Sequence, residues 1–241
     1  MQWKQKWSLL IGTLLTSLVP ISAQDYEKGD VNTDLEIGIV IPSAEIETPF
    51  LLSAKTNFWI HPNFSLFAGG ELKYGEYFNM QRIDDHTVYS LDNKMAVLNA
   101  TLGAKYSHRR ISEDWFMDIF SNFIAGHGFA FEGSFHFSPI PYNRITLNRN
   151  FTDVTHQHQQ TKTNKTVFTH FNPSFEAKIT YFFDLDIFPK SEPRLLFSFA
   201  ASNFNMLNAY YHATVDGIQL RDYFDLRIHQ PTYTLSMGVV L

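Results

Sequence analysis

The chain has 241 residues, no cysteine and a formal net charge of −5, which allows one domain or two small ones and excludes disulfide staples and a basic nucleic-acid face. Aromatic residues make up 16 %, with 23 Phe and 11 Tyr, yet mean hydropathy is only −0.17. Large apolar side chains without long apolar runs exclude a helical membrane protein and fit strands whose two faces differ.

The N-terminus has the three parts of a secretory signal peptide over Met1–Ala23. Lys4 and Lys6 supply the positive region, Ser8–Val19 the apolar region, and Pro20-Ile21-Ser22-Ala23 a small-residue cleavage site before Gln24. The apolar run is shorter than the ~20 residues a spanning helix needs, and no cysteine offers a lipoprotein anchor. Residues 24–33 are expected to be a short periplasmic segment, with a barrel over 34–241.

Eight runs then alternate apolar and polar with period two, as barrel strands do. In chain order they are Asp34–Ile41, Phe50–Ile60, Ser65–Tyr74, Lys94–Tyr106, Trp115–Gly126, Phe175–Phe183, Leu195–Phe204 and Thr232–Leu241. Their non-apolar faces carry Glu36, Lys55, Glu71, Lys73, Lys105, Asp118, Glu176 and Lys178, four acids and four bases. In a small closed barrel such a balanced set fills the interior as ion pairs, because unpaired charges there are costly. Short connections (His61–Phe64, Ser107–Asp114, Asp184–Arg194) alternate with longer ones (Pro42–Pro49, Gly75–Asn93, His127–Ser174, Asn205–Pro231). This pattern predicts an all-β, closed, antiparallel up-and-down transmembrane barrel of eight strands, with short periplasmic turns and long extracellular loops.

On these runs and connections the chain resembles small outer-membrane barrels of the OmpA-transmembrane-domain and OmpX type, over nearly all of the mature sequence. The resemblance implies residence in the outer membrane of a Gram-negative envelope. Barrels of that type commonly end in an aromatic residue, whereas this chain ends Gly238-Val239-Val240-Leu241.

Phe129, Phe131, Phe135 and Phe137 alternate at the start of the largest connection. They are expected to continue the fifth strand above the membrane, with Val167–Phe171 as the returning arm and Pro139 and Pro141 ending it. Such a ribbon suits edge pairing with a partner. Asp216-Gly217 between Ala213-Thr214-Val215 and Ile218-Gln219-Leu220 predicts a hairpin. If that hairpin and the large loop both crossed the bilayer, the count would be ten strands. His156, His158 and His170, with His127 and His136 nearby, lack the Cys or acidic partners of a tetrahedral site, so no metal is expected. Ser202-Asn203 has Ala200 where a lipid A deacylase of this architecture has histidine, so Ser202 has no base and no catalytic residue or cofactor is expected.

The functional expectation is a non-enzymatic barrel with a plugged polar lumen and a structural or surface-interaction role. Its partners would be outer-membrane lipid and an extracellular protein or surface ligand met by loops 127–174 and 205–231, with no nucleic acid and a monomer favoured. A small-solute channel or transporter, a soluble lipocalin-like carrier and a lipid A-modifying enzyme are the alternatives.

Overall fold

The computed structural model describes residues 27–41, 46–84, 86–110, 124–138, 142–152, 158–168, 173–185, 194–226 and 230–240. The signal peptide at 1–23, Asp118, His156 and His170 lie outside the described residues. Twelve strands occur among the described residues: β1 (Val31–Ile41), β2 (Ile46–His61), β3 (Phe64–Arg82), β4 (Thr87–Arg110), β5 (Ile124–Phe137), β6 (Tyr142–Thr152), β7 (His158–Phe168), β8 (Ser174–Leu185), β9 (Arg194–Ser202), β10 (Thr214–Val215), β11 (Ile218–Gln219) and β12 (Thr232–Val240). One helical turn, α1 (Asn208–Tyr211), precedes β10.

The ring β1-β2-β3-β4-β5-β8-β9-β12 closes on itself, because β12 pairs with β1 and β3 pairs with β4, all antiparallel. The barrel therefore has eight strands, as the alternation predicts. The ten-strand alternative fails: β6 and β7 form a hairpin attached to the upper end of β4, through Thr87–Leu91 facing Leu147–Phe151. The Asp216-Gly217 hairpin does form, with φ of 52° and 76° at its two central residues, the left-handed pair that a type I′ turn requires.

Alternation explains the wall. Ile37 and Ile39 are each 55 % exposed while Glu36 between β1 neighbours is 5 % exposed, so the apolar set faces outward and the polar set inward. The same holds for Leu66 and Leu102 outside against Ser65 and Thr101 inside. Glycine appears where two backbones must approach on the inner face. A Cβ on Gly69 would collide with the Ala54 carbonyl oxygen and lie 2.7 Å from Lys55 Cα. Gly69→Ala is therefore expected to force β2 and β3 apart and cost about 1–3 kcal/mol, read as a lower urea midpoint in detergent. Gly133→Ala, where nothing lies within 4 Å, should change the midpoint little; equal effects at both positions would refute this account.

Three connections differ from expectation. β2 starts at Ile46, so residues 46–49 of the expected Pro42–Pro49 connection are strand, and 42–45 lie outside the described residues. The Gly75–Asn93 loop is instead the upper part of β3 and β4, which run on to Arg82 and from Thr87. The fifth barrel strand is described over Ile124–Phe137; the expected Trp115–Gly126 run meets it only at 124–126, and 115–123 lie outside the described residues. Phe129, Phe131, Phe135 and Phe137 consequently lie in the wall, along β4 and β8, and form no protruding ribbon. Phe135 packs 4.3 Å from Phe175, and Phe129 4.8 Å from Tyr181. The reason is that period two reports a face and not a height along the barrel axis. Height is set by Glu132, which sits level with Lys105 on β4 and Lys178 on β8.

Candidate functional site

Two regions hold the unusual chemistry: the lumen and the structure above it. Six carboxylates (Asp34, Glu36, Glu71, Glu132, Glu176, Asp184) and six cationic side chains (Lys55, Lys73, Lys105, Lys178, Arg109, Arg194) point inward among the described residues, and only Arg109 is more than a tenth exposed. They bridge opposite walls. Lys105 on β4 reaches Asp34 on β1 at 2.6 Å. Lys178 on β8 bonds Glu36 on β1, whose other oxygen accepts from Ser236 at 2.6 Å. Lys55 on β2 lies 3.4 Å from Glu132, 3.5 Å from Glu71 and 3.9 Å from Glu176. Lower down, Asp184 is held by Arg109 at 2.8 Å and Arg194 at 2.6 Å. The space left beside Glu36, Lys55, Glu71, Glu176 and Lys178 is about 10 Å³, roughly one water.

Of the residues singled out from sequence, Glu36, Lys55, Glu71, Lys73, Lys105, Glu176 and Lys178 all sit in this network. Asp34, Glu132, Arg109, Asp184, Arg194 and His136 were missed. The signal for Glu132 and His136 was present: Ala130, Glu132, Ser134 and His136 alternate with the phenylalanines in the same inside-outside pattern as the other strands.

The predicted loop histidines are not brought together among the described residues. His127 lies on the outer face against the Tyr181 hydroxyl at 2.8 Å, and His158 is exposed at the start of β7. His136 faces the lumen, where it, Glu71 and Glu176 place one ligand atom each within 4.8 Å of one another. That set does not call for a metal ion. The Lys73 ammonium lies 3.3 Å from Glu71 and 3.7 Å from Glu176, already supplying the positive charge, and Lys55 adds a second. The buried Ser202 hydroxyl accepts from the Phe204 backbone N–H at 3.0 Å and shapes the turn out of β9.

Along β3 and β4 the inner face changes character. Glu71 and Lys73 give way to Gly75 and Tyr77; Thr101 and Asn99 give way to Val97, Met95 and Leu91. The upper strands, with β6 and β7, make a sheet in the order β3-β4-β6-β7. Its inner face and the segment from Phe204 to Leu226 enclose a separate apolar core that includes Tyr77, Leu91, Met95, Ile145, Leu147, Leu207, Tyr210, Val215 and Phe224. We call this unit the head. Asn93 pins β6 by accepting from the Thr146 N–H at 2.6 Å and donating to its carbonyl at 3.3 Å. Leu207 N–H donates to the Asn205 side chain at 2.8 Å. Burial raises the Tyr210 phenol well above its ordinary pKa, so the head core stays uncharged.

The outer face also has a boundary. Glu76 and Lys94 pair at 3.2 Å, both open to solvent, with the Tyr74 hydroxyl donating to Glu76 at 2.9 Å. From Leu66 to Glu76 is ten residues, about 25 Å of height at ~3.3 Å per residue and ~40° tilt, which equals the apolar band of a membrane barrel. Above it, the same side of the head sheet carries Phe78 and Met80 on β3, Asp92, Ser90 and Val88 on β4, Thr146, Asn148 and Asn150 on β6, and Gln160, Lys162 and Asn164 on β7.

No family model and no curated protein sequence matches the chain. Among solved structures it is similar to Ail, the attachment invasion locus protein of Yersinia pestis, at 9 % identity and TM-score 0.32, covering 89 % of this chain and 100 % of that one. The same protein in complex with the heparin analogue sucrose octasulfate matches at 9 % identity and TM-score 0.28, over 88 % and 99 %. The outer membrane protease OmpT from Escherichia coli matches at 10 % identity and TM-score 0.26, over 91 % and 97 %.

Proposed function

We propose that this protein is an outer-membrane β-barrel whose lumen is plugged by its own ion pairs and whose extracellular head is the working surface, in a structural or surface-interaction role without catalysis. The observation that carries the reading is the double inversion of polarity. Apolar side chains face out and charges face in over about 25 Å, and above that height the inside turns apolar around a packed core. A soluble carrier needs the reverse arrangement in its barrel, an apolar interior and a wettable exterior. A channel needs water along its axis, and here Lys55 and Lys73 are 2 % and 0 % exposed. The paired acids and bases support the plug, and Ser202, engaged by backbone and without a histidine at Ala200, supports a non-enzymatic role. A monomer is favoured, with bilayer lipid as its lateral partner.

The test has two arms. Detergent-extracted protein on a denaturing gel is expected to run as a compact, faster band until boiled. In planar bilayers the same material is expected to give no conductance steps. An unshifted band from protein soluble without detergent would overturn the membrane reading; well-resolved steps would overturn the plug.

A further inference from the structure

We propose that the outward face of the head sheet binds the carbohydrate chains of glycolipids standing in the outer leaflet of the same membrane. The inference rests on the outer-membrane reading and names the partner of its working surface. The first support is continuity of face. Leu72 and Tyr74 on β3 belong to the lipid-facing wall, and Phe78 and Met80 lie on the same side of the same strand, beyond the Glu76–Lys94 pair. The head sheet therefore faces sideways. What it meets is the layer directly above the acyl chains, where glycolipid sugars stand.

The second support is chemistry. The face presents rows of short amide and hydroxyl side chains at strand spacing. Asn148 stands opposite Lys162, Thr146 opposite Asn164, and Asn150 opposite Gln160. Thr146 donates to the Asn164 side-chain oxygen at 2.8 Å, which leaves that amide's N–H groups to donate outward. A grid of fixed donors and acceptors with little net charge fits a polyhydroxyl chain and suits a protein core poorly, since a protein hot spot is a central aromatic or Arg anchor in a dry pocket. Phe78 and Met80, 47 % and 55 % exposed, stand on the same face across the β4 row of Asp92, Ser90 and Val88 and offer an apolar surface to the C–H face of a further sugar ring of the same chain. Lys162 adds a cation for a phosphate or acidic sugar.

The experiment uses the full protein folded in detergent, titrated with lipopolysaccharide carrying its polysaccharide and with lipid A stripped of it. The Asn148→Ala/Asn164→Ala variant is compared with the parent, and Asn150→Ala/Gln160→Ala serves as a second variant. Each must first show the heat-dependent gel shift. The expected result is binding of the polysaccharide form at least tenfold tighter than lipid A in the parent, with that margin lost in a variant. Equal binding of both lipids, no binding, or an unchanged margin in both shifted variants overturns the inference while leaving the barrel intact. A parent that shows no heat shift and is soluble without detergent overturns the membrane reading, and the inference with it.

Discussion

Replacing Lys55 by Met is expected to destabilise the barrel by about 3–5 kcal/mol, the cost of leaving buried charge uncompensated. Lys55 is 2 % exposed and lies within 4 Å of Glu71, Glu132 and Glu176. Its removal leaves those carboxylates facing one another with one cation fewer, in an interior with room for only about one water to screen them. The measurement is the urea midpoint of the gel-shifted band in detergent. The diagnostic is compensation. Adding Glu132→Gln to Lys55→Met restores the charge balance and is expected to recover a large part of the loss, because removing both partners is far milder than removing one. Glu132→Gln alone is expected to destabilise as well, since it takes one carboxylate away from Lys55, Lys105 and Lys178 and leaves the lumen one negative charge short, although each lysine keeps another acidic partner. Two single variants at parental stability would mean the lumen tolerates free charge and would undermine the plug.

The second large effect belongs to the head. Leu207 is fully buried among Tyr77, Leu91, Tyr210 and their neighbours, so Leu207→Ala is expected to cost the head about 2–5 kcal/mol. The barrel does not share that core: its interior is a hydrogen-bonded ionic network, and its outside is held by lipid in the proposed setting. Limited proteolysis of the variant is expected to cut within 203–226 at least tenfold faster than in the parent, while the heat-dependent band shift survives. Loss of both together would show that head and barrel fold as one unit. The Asp216-Gly217 turn is a useful reference point, because both central residues adopt positive φ and Gly217→Val should open the β10–β11 hairpin alone.

Much of the barrel was legible because its signal is local. Glu36 between Leu35 and Ile37, or Lys73 between Leu72 and Tyr74, reports its face from its immediate neighbours, since successive side chains on a strand point opposite ways. That periodicity carries no information on depth. The four phenylalanines from Phe129 to Phe137 were read as standing above the membrane for this reason, whereas they lie in the barrel wall. A run that alternates identically inside and above the bilayer can be located only by what it pairs with. Glu132 level with Lys105 and Lys178 does that locating, and those partners are distant in sequence.

The head was illegible for a related reason. Leu91, Ile145, and the pair Leu207 and Tyr210 come from three separate stretches, and they enclose a core only once β6 has paired with β4. The sequence by itself determined the strand class, the strand number, the inside-outside assignment and seven lumen charges, because each follows from alternation within a few residues. The tertiary structure alone decided which charges meet across the lumen, where β5 sits, and that an apolar-cored head stands on the barrel, because these depend on register and on contacts between segments far apart in the chain.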